Sequence, residues 1–114
     1  MSQQEAQMRF FGLKTCDTCR KALKSLAPRE VEVIDVRSDG ISDADRAAIL
    51  DAFGAAALNT RSTTWRGLSE VERARDPAEL LADHPTLMKR PVIEANGTWY
   101  QGWTPDVRAA IGVE

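Results

Sequence analysis

Cys16-Asp17-Thr18-Cys19 stands where an apolar run gives way to a helical pattern, and this junction narrows the fold more than any other feature of the chain. Ahead of it, residues 8–13 (Met-Arg-Phe-Phe-Gly-Leu) predict a first strand. Behind it, Ala22, Leu23 and Leu26 share one helical face from Cys19 onward, with Arg20, Lys21 and Lys24 elsewhere, and Pro28 closes the helix. Residues 30–36 then alternate as a second strand, with Val31 and Val33 inward and Ile34 as a third candidate. A strand, a helix and another strand at this spacing are the opening of an α/β fold.

Local punctuation continues the pattern. Ser42 with Asp45 three residues on resembles a capping box, with Asp in place of Glu. The helix it opens places Ala48, Ile49, Ala52 and Phe53 on one stripe and stops at Gly54. Residues 58–68 are expected to be a polar connection holding one large aromatic, Trp65. A short helix follows from Ser69 to Arg75, and another begins at Asp76-Pro77 and ends near His84-Pro85. Residues 90–94 predict a third strand, Asn96-Gly97 a hairpin turn, and residues 98–101 the fourth strand. Thr104-Pro105 opens a last helix running to Ile111.

The order predicts an α/β fold: a four-stranded mixed sheet flanked by helices, with a helical insertion in the middle of the chain. At 114 residues this is one domain's length, assigned to residues 8–114, with residues 1–7 as a flexible N-terminal tail. The 43% apolar content supplies a packed core, and a chain of this size buries roughly two-thirds of its unfolded surface.

Charge and composition exclude several classes. Fifteen Lys and Arg stand against 17 Asp and Glu, a net charge of −2, which argues against a coat for nucleic acid or for an anionic membrane. No apolar run reaches the 18 residues a spanning helix needs, and the polar N-terminus lacks the pattern of a secretory signal. A cytoplasmic location and a monomer are expected. In a reducing compartment, two cysteines three residues apart are reactive rather than structural, because a disulfide there closes too small a loop to staple a domain.

The junction also carries chemistry. A helix N-terminus presents free backbone N–H groups and a partial positive charge, and both favour a thiolate. Cys16 lies at or just before that N-terminus and is the expected nucleophile, with a pKa below the free value of ~8.5. Lys14, Arg20, Lys21 and Lys24 surround it, with Asp17 opposing. Two readings of Cys19 stay open. It can resolve a mixed disulfide at Cys16, or it can be a small apolar group packed inside the helix. Half of a zinc site is disfavoured, since His84 is the one histidine and no further cysteine completes the ligand set. Thr15 and Thr18 can donate to an oxyanion or cap the helix.

Three further segments fall in step with the cysteine pair. Residues 12–23 (Gly-Leu-Lys-Thr-Cys-Asp-Thr-Cys-Arg-Lys-Ala-Leu), 59–66 (Asn-Thr-Arg-Ser-Thr-Thr-Trp-Arg), 87–93 (Leu-Met-Lys-Arg-Pro-Val-Ile) and 102–107 (Gly-Trp-Thr-Pro-Asp-Val) together resemble the arsenate reductase (ArsC)/Spx family. Within it they are most similar to an arsenate-reductase-like subgroup, and the likeness runs from Met8 to Ile111.

The resemblance implies a thioredoxin-like fold and a cis peptide before Pro91, facing the cysteine loop. It implies that Cys16 is the thiolate that attacks an oxyanion or a mixed disulfide, with Cys19 as its partner. Lys14, Thr15, Arg61, Arg90 and Pro91 become the implied substrate-binding residues, the two arginines holding an oxyanion or a glutathione carboxylate. No bound cofactor and no metal are implied; glutathione or another thiol, with glutaredoxin or thioredoxin as protein donors, is the implied reductant. The stretch Tyr100-Gln101-Gly102-Trp103-Thr104 lacks the third arginine that the reductases of the family carry before the last helix, which favours general thiol redox chemistry. The alternative within the same family is a Spx-like redox-sensing regulator that binds the α subunit of RNA polymerase.

Overall fold

β1 (Met8–Gly12) is one of two inner strands of the sheet. It has buried apolar residues on both sides of the pleat, Met8 and Phe10 on one and Phe11 on the other, as suits an inner strand. It pairs in parallel with β2 (Val31–Asp35), Phe10 opposite Val33, and antiparallel with β3 (Val92–Ala95), Phe10 opposite Ile93. β3 turns through Asn96 and Gly97, both at positive φ (52° and 86°), into antiparallel β4 (Thr98–Gln101). Two central residues at positive φ suit the twist of a two-residue hairpin. The sheet order is β2-β1-β3-β4, the mixed four-stranded sheet that the sequence predicts. The computed structural model describes residues 8–26, 29 and 31–112, so the expected tail at residues 1–7 and Pro28, the expected helix stop, lie outside the described residues.

Two helices cover one face of this sheet. α1 (Asp17–Leu26) buries Cys19, Ala22 and Leu26, spaced so that they point one way, and α6 (Pro105–Ala110) follows the Thr104 cap, whose side chain accepts from the Val107 N–H. Met8, Phe10, Ile93 and Ala95 of the strands meet Cys19, Ala22, Leu26 and Ile111 in one core, with Leu23, Tyr100, Trp103 and Val107 packed around it. On the opposite face, Phe11 stacks at a tilt on Trp99, and Arg9 lies over both rings while pairing with Glu94 at 2.6 Å. Burying a phenylalanine side chain contributes about 1.5–3 kcal/mol, so Phe10 and Phe11 on opposite sides of β1 anchor both faces.

Residues 36–89 form a second compact unit, the helical insertion. α2 (Asp43–Phe53) packs on α5 (Pro77–Asp83) over Ile49, Leu80 and Leu81. Between them lie a 3-10 turn (Gly54–Ala57) and two four-residue helices, α3 (Thr63–Arg66) and α4 (Glu70–Arg73). Another 3-10 turn (Pro85–Leu87) follows α5. Ser42, Ser62, Ser69 and Asp76 cap the four α-helices through side-chain oxygens. Arg73 lies over Trp65 and donates to the Trp65 and Arg66 carbonyls, tying α3 to α4. Arg75 pairs with Glu72, Glu79 and Asp83, tying α4 to α5. The unit closes on itself where Leu58 bridges Met88, flanked by Asn59 N–H to Leu87 O and Lys89 N–H to Ala57 O.

Four expectations need correction. Val33 lies on the Phe10 side of the sheet yet stays 49% exposed, because β2 is an edge strand and α1 leaves a small cleft there lined by Phe10, Leu13, Leu23 and Val33. Ala52 is exposed, since the buried stripe of α2 runs through Ile49 toward Leu50 and Phe53. Residues 58–68 are not simply a polar connection: Leu58 is buried and α3 lies within them. The third strand begins at Val92 and not at Arg90, because Pro91 has no N–H to give the ladder.

Candidate active site

The helix after β1 starts at Asp17, two residues earlier than its apolar spacing suggests, and this makes Cys16 its N-cap residue. The Cys16 carbonyl accepts the first intrahelical bond, from Arg20 N–H at 3.0 Å, and Cys16 N–H donates back to Leu13 O at 3.1 Å. The loop is pinned further by Asp35, which is buried at the end of β2 and accepts the Lys14 N–H at 3.1 Å. That anchor escaped the sequence reading. Its trace is an acid in the phase of the strand that Val31 and Val33 occupy.

Both cysteines are free thiols, Cys16 half-buried and Cys19 buried. They sit one turn apart, Cys16 just before α1 and Cys19 within it, and their pKa values are shifted in opposite directions. For Cys16, burial is the largest single influence and works against ionisation. The Cys19 backbone N–H, the Cys19 thiol and the Arg90 guanidinium all hydrogen-bond its sulfur, and Arg90 adds its charge. Together these outweigh burial and hold Cys16 below its ordinary value. For Cys19, burial dominates and the neighbouring Cys16 adds to it, against the Leu13 backbone and Arg90, so its thiol is pushed up to about 11. At neutral pH Cys19 is therefore a proton donor to the Cys16 sulfur.

Arg90 reaches this site from the residue before Pro91, and the Arg90–Pro91 peptide is cis, as the resemblance implies. Pro91 is buried, and its carbonyl accepts the Gly102 N–H at 2.8 Å. The first unit thus brings Cys16, Cys19 and Arg90 together. Lys14 and Thr15 are exposed in the loop before Cys16. Arg61 belongs to the second unit, exposed on a turn where its N–H donates to Asn59 Oδ1 at 3.0 Å. His84 lies 3.9 Å from Glu72 in that same unit. Among the described residues no cluster of three or more His, Cys, Asp or Glu side chains could hold a metal ion, and no helix is long and apolar enough to cross a membrane.

A mixed sheet in this order, with a cysteine capping the first helix and a cis-proline loop before the third strand, is the thioredoxin-like arrangement. A model of the ArsC family matches residues 11–111, and the chain belongs to that family. It is 43% identical over 94 residues, 76% of this chain and 82% of the other, to a Haemophilus influenzae protein described as uncharacterized. Among solved structures, it superposes on the YFFB protein with a TM-score of 0.83 and 32% identity, covering 90% of this chain and 96% of that one. An arsenate reductase (ArsC) related protein from Brucella melitensis gives a TM-score of 0.69 and 27% identity, with 96% and 98% covered.

Proposed function

We propose that the protein is a thiol-dependent reductase in which the Cys16 thiolate is the nucleophile. One observation carries this reading: the Cys16 sulfur caps α1 with Cys19 and Arg90 both directed at it. Membership of the ArsC family, and likeness to a protein described as arsenate reductase related, support it.

The preferred substrates are disulfides, including mixed disulfides of glutathione. The Cys16 thiolate attacks one sulfur of R–S–S–R′, forming Cys16–S–S–R and releasing R′–S⁻. Ionised Cys16 no longer stands beside Cys19, which removes one of the influences holding the Cys19 proton. Cys19 then gives up that proton and attacks the Cys16 sulfur, expelling R–S⁻ and leaving a Cys16–Cys19 disulfide. Two electrons from glutathione, glutaredoxin or thioredoxin restore both thiols. With arsenate, the thiolate displaces hydroxyl as water. A second thiol then attacks the Cys16 sulfur and forms a disulfide with it; the sulfur–arsenic bond breaks and arsenite leaves, so arsenic goes from +5 to +3 as two thiols are oxidised. Arg90 holds the anion, with Lys14 and Thr15 as the further substrate contacts in this reading. The setting we propose is a monomer in the reducing cytoplasm.

Replacing Cys16 by Ser is expected to abolish turnover of glutathione mixed disulfides, artificial disulfides and arsenate alike. A wild-type protein inactive on all three with each thiol donor would overturn the reading. Recovery of RNA polymerase from lysate by the oxidised protein alone would then favour the redox-sensing regulator.

A further inference from the structure

Gly12 closes β1, buried and paired with Asp35 across the parallel ladder. Its φ lies outside the left-handed region, so nothing in its backbone conformation demands glycine. Space does. A Cβ at this position would lie 2.7 Å from Cys19 Sγ, 2.8 Å from Phe10 Cε1 and 3.3 Å from Cys19 Cβ. Real Cβ atoms do not approach other heavy atoms at the first two of these distances. The room a side chain would take is filled by the Cys19 thiol and the edge of the Phe10 ring.

We propose that Gly12 is a positioning residue for the thiol pair: by omitting a side chain at the end of β1, it seats the Cys19 Sγ where that thiol donates to the Cys16 sulfur. The proposal rests on the reading of Cys16 as the nucleophile. Of the two neighbours, Phe10 is fully buried in the core between sheet and helices and has little freedom to move. Cys19 can yield by rotating about χ1, which carries its sulfur away from the position it holds beside Cys16. A methyl group at position 12 therefore acts on the chemistry through Cys19. It removes one donor from the Cys16 thiolate, and it takes the second thiol out of line for attack on a mixed disulfide.

The test is the pH dependence of Cys16 alkylation by iodoacetamide, read by peptide mass, in the wild type, Gly12→Ala, Cys19→Ala and the double variant. No substrate or turnover enters, so an inactive protein would sink the reductase reading without touching this one. Gly12→Ala and Cys19→Ala are each expected to raise the midpoint by about one pH unit, the scale of one hydrogen bond to a charged sulfur. The double variant should rise no further than Cys19→Ala alone. Cys19→Ser, which keeps an O–H donor, should recover part of the shift, which a purely structural role would not produce. An unchanged midpoint in Gly12→Ala or in Cys19→Ala overturns the proposal. So does a Gly12→Ala shift of equal size with and without Cys19, because the residue then acts on the fold. Should Gly12→Ala unfold, folding restored by adding Cys19→Ala supports the proposal, and unfolding in both backgrounds overturns it.

Discussion

Arg90 contributes to the Cys16 sulfur in two ways, as a hydrogen-bond donor and as a charge, and these can be separated. Arg90→Ala removes both, so the pH midpoint for Cys16 alkylation is expected to rise. Arg90→Lys keeps the charge but loses the planar fork, so it should restore only part of the difference. Equal midpoints in all three proteins would show that Arg90 does not act on the thiolate. Cys19 makes a separate prediction about stability. Its folded pKa is raised to about 11, so its contribution is complete below the pKa of the unfolded chain and is lost as pH rises toward the folded value. Urea midpoints for the wild type are therefore expected to fall from about pH 9 upward, and Cys19→Ser should remove that part of the decline. A decline of the same size in both proteins would assign it to other groups. Cys16, whose pKa is lowered, works with the opposite sign and at lower pH. Its contribution grows as pH rises through the folded value and is complete above the ordinary one.

At the scale of elements, the punctuation written into neighbouring residues is also where the elements begin and end. Ser42 accepts the Asp45 N–H at 3.1 Å, Asp76 with Pro77 starts α5, Thr104 with Pro105 starts α6, and Asn96-Gly97 turns the hairpin. Each of these signals is local, so the sequence displays it directly. Ser42→Ala is expected to cost about 0.5–2 kcal/mol in a chemical denaturation, with no change in the Cys16 titration. A loss near zero would mean that water satisfies the first turn of α2 equally well. Features set by neighbours distant in sequence are not displayed. Nothing in the alternation of residues 30–36 says that β2 is an edge strand and leaves Val33 exposed. α3 is four residues long, too short to show a helical period, and only Ser62 marks it. The place of Cys16 was legible, because a strand followed by a capped helix fixes where that residue must lie. Arg90 and the cis peptide before Pro91 were legible only through likeness to a family. The seat that Gly12 provides for Cys19 was not legible at all, since it depends on how closely α1 packs on β1.

Over the whole molecule, the charge on the chain and the charge near Cys16 have opposite signs. The chain carries −2, yet Lys14, Arg20, Lys21 and Lys24 are exposed along the loop and helix around Cys16, and Arg90 stands at the sulfur itself. Asp17 neutralises part of this by pairing with Arg20 at 2.9 Å. A local positive field on an acidic protein acts on the approach of the reactant more than on the stability of the fold. It favours an electrophile that brings its own negative charge, as a glutathione disulfide or an oxyanion does. Iodoacetate and iodoacetamide differ in that one charge and react with the same thiolate, so their rate ratio isolates the field from the nucleophile. The ratio, referred to that of a free thiol in the same buffers, is expected to favour iodoacetate at about 10 mM salt. It should fall toward the free-thiol value near 0.5 M, where screening shrinks the field to a few ångströms. A ratio that does not respond to salt would confine the influence of charge to the direct contact between Arg90 and the sulfur.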